Sequence, residues 1–502
     1  MKKTKFLLGL DIGSSSIKAS LLDSETGLSA GSAMSPKTEL RISSIKPEWA
    51  EQDPSTWWDH AVLATVELLQ KTAIHSDDIA AIGISYQMHG LVVVDKDHRV
   101  LRPSIIWCDS RAAEIGNRAF NELGADTCLT HFLNSPGNFT ASKLKWVKEN
   151  EPSVYEKIYK IMLPGDYISM KLTGEINTTY TGLSEGILWD YKENKPAKLL
   201  LDHYGIDPDI LPDTHQSFAE FGRLHKKASE RLGLKEGIPV TYKAGDQPNN
   251  AFSLNVLNPG EVAATAGTSG VIYGITGSPR YDVKSRVNTF IHVNHAPEDP
   301  RYGVLLCVNG TGILYRWIKQ NLIRNDTISY EEMNNMALNT PIGSDGITIL
   351  PFGNGAERIL ENRNPGGQFH GLNFNRHSTG HLLRAAQEGI VNSLNYGFEV
   401  MKEMGMKHDT VKAGRANMFL SPLFREAFVN TTGAVLELYD TDGSQGAARA
   451  AGIATGIFSD LKEAFQGLTI LETIEPNTDK RNSYNNSYQN WKETLIAELT
   501  KK

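Results

Sequence analysis

Short apolar runs that end at glycine or polar residues recur along the chain and predict alternating strands and helices. The first run covers residues 6–11, a turn rich in glycine and serine covers 13–16, and a second run covers 17–22. We interpret this stretch as a hairpin of two strands. Its turn offers N–H groups and hydroxyls beside the carboxylate of Asp11, which suits an oxyanion and a hydrated metal. An ordinary hairpin turn is equally consistent with the pattern.

Polar clusters follow the apolar runs of the first half. Pro54 and the apolar positions after it predict a helix, and residues 79–85 predict a buried strand that ends at Gln87, Met88 and His89. A further polar cluster at 107–111 follows another short run. Alternation of strands and helices favours an α/β architecture, in which polar groups at strand ends line the ligand crevice. Both clusters are therefore candidate site residues.

The opening pattern returns near the middle of the chain. Residues 261–266 predict a strand, 267–270 a small polar turn and 271–274 a second strand. We interpret the repeat as two similar α/β domains, residues 1–257 and 258–502, whose hairpins face each other across a cleft and hold a polyphosphate from both sides. The alternative is that Gly-Thr-Ser-Gly is a common turn in any large protein.

Three segments of the second half carry further predictions. Apolar positions at three- and four-residue steps predict a long helix over 381–405. Residues 443–456 predict a helix of small residues that packs closely on a sheet or beside a nucleotide. The last thirty or so residues are polar and predict a peripheral cap at most.

Composition narrows the class of protein. The 502 residues exceed one hydrophobic core, and 40% hydrophobic with 22% charged residues is typical of a soluble globular protein. A net charge of −7 speaks against a dedicated nucleic-acid binder. The three cysteines are far apart, without disulfide or zinc spacing, and no apolar run predicts a signal peptide or a membrane span. We therefore expect a cytoplasmic protein with no nucleic-acid or membrane partner.

The order of the motifs resembles the FGGY carbohydrate kinases, a family related to actin and the heat-shock ATPases. The resemblance extends over roughly residues 6–457. It rests on the motifs at 11–16, 87–90, 245–247 and 267–270 and on the segment around Gly414. Gln-Met-His-Gly at 87–90 looks like the xylulokinase variant of the family. The resemblance implies two actin-like, ribonuclease H-like ATPase domains with a central cleft, and ATP and Mg2+ as cofactors.

The resemblance also implies roles for individual residues. Asp246 would be the general base, and Asp11 would hold Mg2+ through water. The expected sugar-binding residues are Gln87, Met88, His89, Trp107, Asp246 and Gln247. The expected nucleotide-binding residues are Asp11, Gly13, Ser14, Ser15, Gly267, Thr268, Gly414 and Asn417.

Structural alternatives stay open for several of these residues. Asp246 could instead cap the helix that follows it, and His89 could be a core histidine bonded to the backbone. Asp109 and Arg111 could bind sugar hydroxyls or form a structural ion pair. Asn138 is either a cleft residue or a plain turn residue.

The resemblance implies ATP-dependent phosphorylation of a ketopentose, with D-xylulose to D-xylulose 5-phosphate as the first expectation. Related substrates (ribulose, gluconate, glycerol) and a non-catalytic sensor of nucleotide or sugar are the alternatives, and a homodimer is a possible assembly. The adenosine segment departs from the family pattern. Only Gly414, with Ala413, matches it, and comparison with the family pattern implies three inserted residues before Ser421.

Overall fold

The computed structural model describes residues 4–323 and 328–501. The strands are β1 Phe6–Ile12, β2 Ile17–Asp23, β3 Ser29–Ser35, β4 Glu51–Gln52, β5 Ile79–Tyr86, β6 Val92–Val94, β7 Ser104–Ile105, β8 Lys160–Met162, β9 Asn177–Thr179, β10 Trp189–Asp190, β11 Lys195–Pro196, β12 Asp213–His215, β13 Val240–Gly245, β14 Val262–Ala266, β15 Gly270–Thr276, β16 Asn288–Ile291, β17 Tyr302–Val308, β18 Thr348–Phe352, β19 Gly366–His370, β20 Thr410–Gly414, β21 Val435–Tyr439 and β22 Ile470–Ile474.

The α-helices are α1 Pro54–Thr72, α2 Ala113–Leu123, α3 Ala125–Phe132, α4 Thr140–Asn150, α5 Pro152–Tyr155, α6 Pro164–Thr173, α7 Tyr180–Glu185, α8 Lys198–Tyr204, α9 Lys226–Leu232, α10 Asp246–Ser253, α11 Gly312–Trp317, α12 Tyr330–Leu338, α13 Thr379–Glu403, α14 Pro422–Thr432, α15 Gly443–Ala454, α16 Leu461–Ala464 and α17 Thr478–Thr500. A π-helical turn covers Ile318–Ile323, and 3₁₀ turns cover Ser76–Asp78, Pro208–Ile210, Ser344–Gly346, Arg358–Leu360 and Asn417–Leu420.

The chain forms two compact units. The first unit comprises Met1–Asn255, Phe290–Tyr302 and Thr441–Leu468, and the second comprises Val256–Thr289, Gly303–Asp440 and Thr469–Lys502. The first change of unit falls within two residues of the boundary expected after residue 257. Two later segments of the expected 258–502 domain belong to the first unit instead.

The first unit is built on a five-stranded sheet of order β13-β5-β1-β2-β3. β1 and β2 form the predicted hairpin, in which Asp11 pairs with Lys18. β5 and β13 add in parallel on the other side of β1. The carboxyl ends of these three parallel strands lie at the same edge, so the residues after them, including Gln87 and Asp246, belong to one end of the sheet.

The second unit repeats this topology in a seven-stranded sheet of order β16-β17-β15-β14-β20-β21-β22. β14 and β15 form the second predicted hairpin, and β20 and β21 add in parallel beside β14, as β5 and β13 do beside β1. The prediction of two similar α/β domains, each beginning with a hairpin, is therefore confirmed.

α15 packs directly on the sheet of the first unit, which was one of the two positions expected for it. The strands it covers carry glycine where it crosses them. A Cβ atom on Gly9 would lie 1.9 Å from the carbonyl oxygen of Ser444, and one on Gly83 would lie 2.0 Å from that of Ala447. Glycine in the strands and alanine in the helix thus allow the backbones to approach closely.

Each unit has its own hydrophobic core, and the C-terminal helix belongs to the core of the second one. Tyr484, Tyr488, Trp491 and Leu495 of α17 are all buried, and Trp491 Nε1 donates to the Ile349 carbonyl at 2.9 Å. The expectation of a peripheral cap was wrong. The polar average of this segment hides an apolar stripe at helical spacing.

Within residues 4–323 and 328–501, none of the helices has a stretch sufficiently long and apolar to span a bilayer.

Candidate active site

The turn between β1 and β2 is held rigidly by hydrogen bonds to its backbone. Gly13 N–H donates to the Ser16 carbonyl at 3.1 Å, which closes the turn. The Ser14 carbonyl accepts from Gln52 Nε2 at 2.7 Å, and the Ser15 carbonyl accepts from a backbone N–H at 2.8 Å. Because these carbonyl groups are engaged, the serine hydroxyls and N–H groups of the turn remain the groups that suit a phosphate.

Asp11 lies at the mouth of this turn, beside the start of α15. Burial raises the pKa of Asp11, the nearby charge of Asp442 raises it further, and Lys18 lowers it. A Cβ atom on Gly443 would lie only 2.6 Å from Asp11 Oδ2, so a side chain at the first residue of the helix would displace this carboxylate. A half-buried carboxylate near a second one attracts a cation.

The residues present fit a hydrated Mg2+ ion better than a fully protein-bound metal. Among the described residues, no group of three or more His, Cys, Asp or Glu side chains is arranged to hold a metal ion. Mg2+ usually keeps several waters and binds one or two carboxylates together with phosphates of the substrate. Asp11, with Asp442 close by, matches that requirement.

Asp246 is the first residue of α10 and follows β13 directly. Burial raises the pKa of Asp246 to about 7, and the nearby charge of Asp11 contributes to the rise, while hydrogen bonds from Gln247 oppose it. A carboxylate with a pKa near neutrality is well suited to accept a proton from a substrate hydroxyl. The carboxylate also accepts hydrogen bonds from backbone N–H groups at the start of α10, so the cap interpretation stays open beside the role of base.

Gln87 is a buried amide at the end of β5. Its backbone N–H donates to the Ile12 carbonyl at 2.9 Å and ties the segment to the first hairpin. Neither its side-chain nitrogen nor its oxygen has a hydrogen-bond partner in the described part of the chain. An unpaired amide inside a protein is costly, so this side chain is a candidate for a ligand contact.

His89 has a left-handed backbone, with φ of 60°. Its Nδ1–H donates to the Glu185 carbonyl at 2.9 Å. Its ring lies 4.9 Å from the ring of Phe139 and 5.5 Å from that of Phe290. The imidazole is therefore held in one orientation from three sides, as the backbone-bonded alternative required.

Trp107 is 39% exposed and lies next to the turn of the first hairpin. Its indole N–H donates to Ser14 Oγ at 3.2 Å. Trp107, which is expected to bind the sugar, is thus in direct contact with Ser14, which is expected to bind phosphate. The exposed face of the indole remains available to an apolar face of a sugar.

Asp109 and Arg111 form a buried structural ion pair. Arg111 Nη2 lies 2.6 Å from Asp109 Oδ2, and Arg111 Nη1 lies 2.8 Å from Glu51 Oε1. The guanidinium also stacks 3.7 Å from the ring centroid of Trp49. The sequence left two interpretations of Asp109 and Arg111 open, and the geometry shows the structural ion pair.

Two further residues near this site were missed by the sequence analysis. Lys143 of α4 is fully buried and donates to the carbonyls of His89 and Ile106, each at 2.9 Å. Glu185 is also buried, and burial together with the charge of Asp246 raises its pKa well above its usual range. A signal existed for Glu185, because it is the one charged residue in the stretch 176–189.

The second unit gathers its own candidate residues around the β14–β15 turn. The Gly267 carbonyl accepts from Gly312 N–H at 2.9 Å, and the Thr268 carbonyl accepts from a backbone N–H at 3.2 Å. A Cβ atom on Gly267 would lie 3.6 Å from Asn417 Nδ2. Asn417, three residues after Gly414 at the end of β20, is thus a near neighbour of this turn. In the segment before Ser421, where an insertion is expected, the chain forms the 3₁₀ turn Asn417–Leu420 before α14.

Known proteins match this chain along most of its length. A model of the N-terminal domain of the FGGY family of carbohydrate kinases matches residues 6–253. The chain is 30% identical over 470 residues to a xylulose kinase from Bacillus subtilis, covering 91% of this chain and 90% of the relative.

Two solved structures are also similar. A gluconate kinase from Lactobacillus acidophilus is 25% identical with a TM-score of 0.88, covering 99% of both chains. A xylulose kinase from Rhodospirillum rubrum is 25% identical with a TM-score of 0.85, covering 99% of this chain and 100% of the other.

Proposed function

The chain belongs to the FGGY family of carbohydrate kinases, with the two-domain actin-like ATPase fold, and we propose that it phosphorylates D-xylulose with ATP. The family makes it a sugar kinase that uses ATP. The product would be D-xylulose 5-phosphate. The observation that carries this choice of sugar is the match along 91% of the chain to a xylulose kinase.

Asp246 is the proposed general base. Its carboxylate would accept the proton of the attacking sugar hydroxyl while the sugar oxygen forms its bond to the γ-phosphorus and ADP leaves. A pKa of about 7 means that a large fraction of Asp246 is ionised at neutral pH and is basic enough to take a proton. Asp11 is proposed to hold hydrated Mg2+, which supplies positive charge to the phosphates.

The remaining candidate residues bind and orient the two substrates in this proposal. Gln87, Met88, His89, Trp107 and Gln247 are proposed to contact the sugar. The turn residues Gly13, Ser14 and Ser15 are proposed to lie against the phosphate oxygens, with the N–H and O–H groups of the two serines as the donors and Gly13 shaping the turn. The nucleotide-binding residues proposed in the second unit are Gly267, Thr268, Gly414 and Asn417.

Gluconate is the second candidate substrate, because one similar solved structure is a gluconate kinase. Gluconate carries a carboxylate that needs a cation or several N–H donors. Two buried cations of the described region, Lys143 next to His89 and Arg111 next to Asp109, are already engaged: Arg111 pairs with Asp109 and Glu51, and Lys143 bonds to two carbonyls. This arrangement favours an uncharged sugar.

A substrate panel tests the proposal directly. ADP release is measured with MgATP and D-xylulose, D-ribulose, gluconate or glycerol, with a reaction lacking sugar as the blank. We expect D-xylulose to give the highest kcat/KM. A higher kcat/KM with gluconate or glycerol would contradict the assignment of the sugar. ATP binding without product from any member of the panel would favour the non-catalytic alternative.

The role of Asp246 has its own test. Asp246→Asn should lower kcat by about 10²- to 10⁴-fold while the sugar and ATP still bind, because a positioned base contributes a factor of that size. Asp209→Asn, which removes an exposed carboxylate in the same unit, is the control and should leave kcat unchanged. Near-normal turnover of Asp246→Asn would remove this residue from the role of base.

A further inference from the structure

The first turn of α4 and the residues before it bond to both loops that carry the candidate sugar contacts. Asn138 Nδ2 donates to the Asp109 carbonyl. Thr140 Oγ1 donates to the Gly90 carbonyl at 3.4 Å. Lys143 completes the set, because its ammonium group donates to one carbonyl in each loop. We call residues 138–143 the loop bracket.

Lys143 is unusual among the buried lysines of the first unit because its direct partners are neutral. Its ammonium nitrogen lies 2.9 Å from the His89 carbonyl oxygen and 2.9 Å from the Ile106 carbonyl oxygen. Lys243, which is equally buried, instead forms an ion pair of 2.8 Å with Asp166. Burying an ammonium group against carbonyls costs free energy. We infer that holding the two loops together offsets this cost.

The two carbonyls are placed where they determine the position of the sugar contacts. His89 has the left-handed backbone described above, and an ammonium bond to its carbonyl helps to fix that conformation. The Ile106 carbonyl also accepts from the Asp109 N–H at 3.2 Å and so closes the turn that carries Trp107. One side chain therefore holds the imidazole and the indole at a set separation.

We propose that Lys143 is a positioning residue for the sugar, which holds the His89 and Trp107 loops together through its charge. The inference rests on the proposed function only in taking these two loops as the sugar site. It does not depend on which sugar is bound. Loss of the ammonium group should weaken sugar binding and leave ATP binding largely unchanged.

The charge of Lys143 should titrate at mildly alkaline pH. Burial lowers its pKa to about 8, with Arg111 acting in the same direction, while Asp109 and Cys108 act in the opposite direction. All three of these neighbours lie on the turn after Ile106. The ammonium form is therefore present below pH about 8 and is lost above it, so the KM for the sugar should rise as the pH passes through this value.

Three variants test the proposal, using the sugar that the substrate panel selects. Lys143→Met removes the donors at similar volume and should raise the sugar KM by about tenfold or more, with the ATP KM nearly unchanged. Lys143→Arg keeps a charge and donors and should restore much of the affinity. Lys145→Met is the matched control, because Lys145 lies on the same helix and donates to the Tyr204 carbonyl instead.

The pH dependence separates positioning by charge from a general structural effect. The wild-type sugar KM should rise by about tenfold between pH 7 and about pH 9.5, and Lys143→Arg should lack this rise because its guanidinium stays charged. If Lys143→Met does not fold, the comparison of the wild type with Lys143→Arg still tests the proposal. An unchanged sugar KM in folded Lys143→Met, or an equal alkaline rise in Lys143→Arg, would overturn the proposal. Absence of sugar phosphorylation by the wild type would instead count against the proposed function.

Discussion

Two carboxyl groups of the first unit, Asp11 and Asp246, have raised pKa values. Burial is the main cause of the raised pKa of Asp246, and the charge of Asp11 adds to it. The pKa of Asp11 is itself raised by burial and by Asp442. Negative charges gathered in this way are unfavourable in the protein alone and become favourable when a cation binds. These charges therefore lower the stability of the ligand-free protein, and a bound cation would offset this effect.

The raised pKa of Asp246 predicts a pH dependence of stability. The folded pKa of about 7 exceeds that of an unfolded Asp, near 4, so the folded state binds the extra proton between these values. The associated stability is present below pH about 4 and is lost as the pH rises through about 7. Asp246→Asn removes this loss and should be more stable than the wild type by about 2 kcal/mol at pH about 8.

Urea unfolding of the ligand-free proteins at several pH values measures this difference. The advantage of Asp246→Asn should shrink as the pH falls from about 8 to about 5. Asp209→Asn serves as the control with an exposed carboxylate. A constant difference across the pH range would show that the ionisation of Asp246 does not affect folding.

Single residues also show where the sequence stops being informative. Asp11 and Asp246 could be selected because each follows an apolar run and begins a polar one. The pairing of Arg111 with Glu51 and Trp49 joins residues some sixty positions apart, which no local pattern reveals. The two interpretations of Asp109 and Arg111 could therefore be separated only by the structure.

At the scale of elements, the local signals were strongest where one face of an element is buried. The hairpins, α1 and α13 follow from apolar periodicity and from turn residues, and Asp53 caps α1 by accepting from Ser55 N–H at 2.9 Å. The role of α17 was missed because its four buried side chains are separated by many polar ones. Their spacing of four, three and four residues was nevertheless present in the sequence.

The packing of α15 on the first sheet gives a prediction about Gly83. Gly83→Ala would place a Cβ atom 2.0 Å from the Ala447 carbonyl oxygen and 2.8 Å from its carbon, both rigid backbone atoms. The helix must move away, so we expect a loss of about 3 kcal/mol or more in the free energy of unfolding.

Thermal and urea unfolding measure this loss. Gly353→Ala is the matched control, because a Cβ atom there would have its nearest neighbour at 3.4 Å. It should change the stability by less than about 1 kcal/mol. If the two variants were equally stable, the close approach of α15 to β5 would not be rigid.

At the scale of the whole molecule, the chain alternates between the two units. The N-terminal 255 residues form most of the first unit, but Phe290–Tyr302 and Thr441–Leu468 return to it later. The sequence repeat located the start of the second sheet because each hairpin is a local feature. It could not show these two returns, because they depend on contacts between residues far apart in the chain. One such contact is the bond of 2.7 Å between the hydroxyls of Ser20 and Ser444.

This discontinuity predicts that residues 1–257 do not fold as an independent domain. Without α15, the glycine-bearing surface of β1 and β5 is uncovered. The main-chain partners of the helix are lost as well, including the bond of 2.9 Å from Thr241 Oγ1 to the Ala451 carbonyl. We expect residues 1–257 alone to unfold without cooperativity. Joining residues 441–468 to them through a flexible linker should restore a cooperative transition, because the linker costs little compared with the surface that the helix buries.

Urea unfolding followed by circular dichroism distinguishes the two fragments. The same fusion carrying Ala448→Asp is the control. Ala448 is fully buried against β1, and its Cβ would lie 2.9 Å from a Cβ atom placed on Gly9. A carboxylate at that position should abolish the restored transition without altering the length or linker of the fusion. Cooperative unfolding of residues 1–257 by themselves would show that the first sheet is stable without α15, and the later segment would then be an addition to a complete domain.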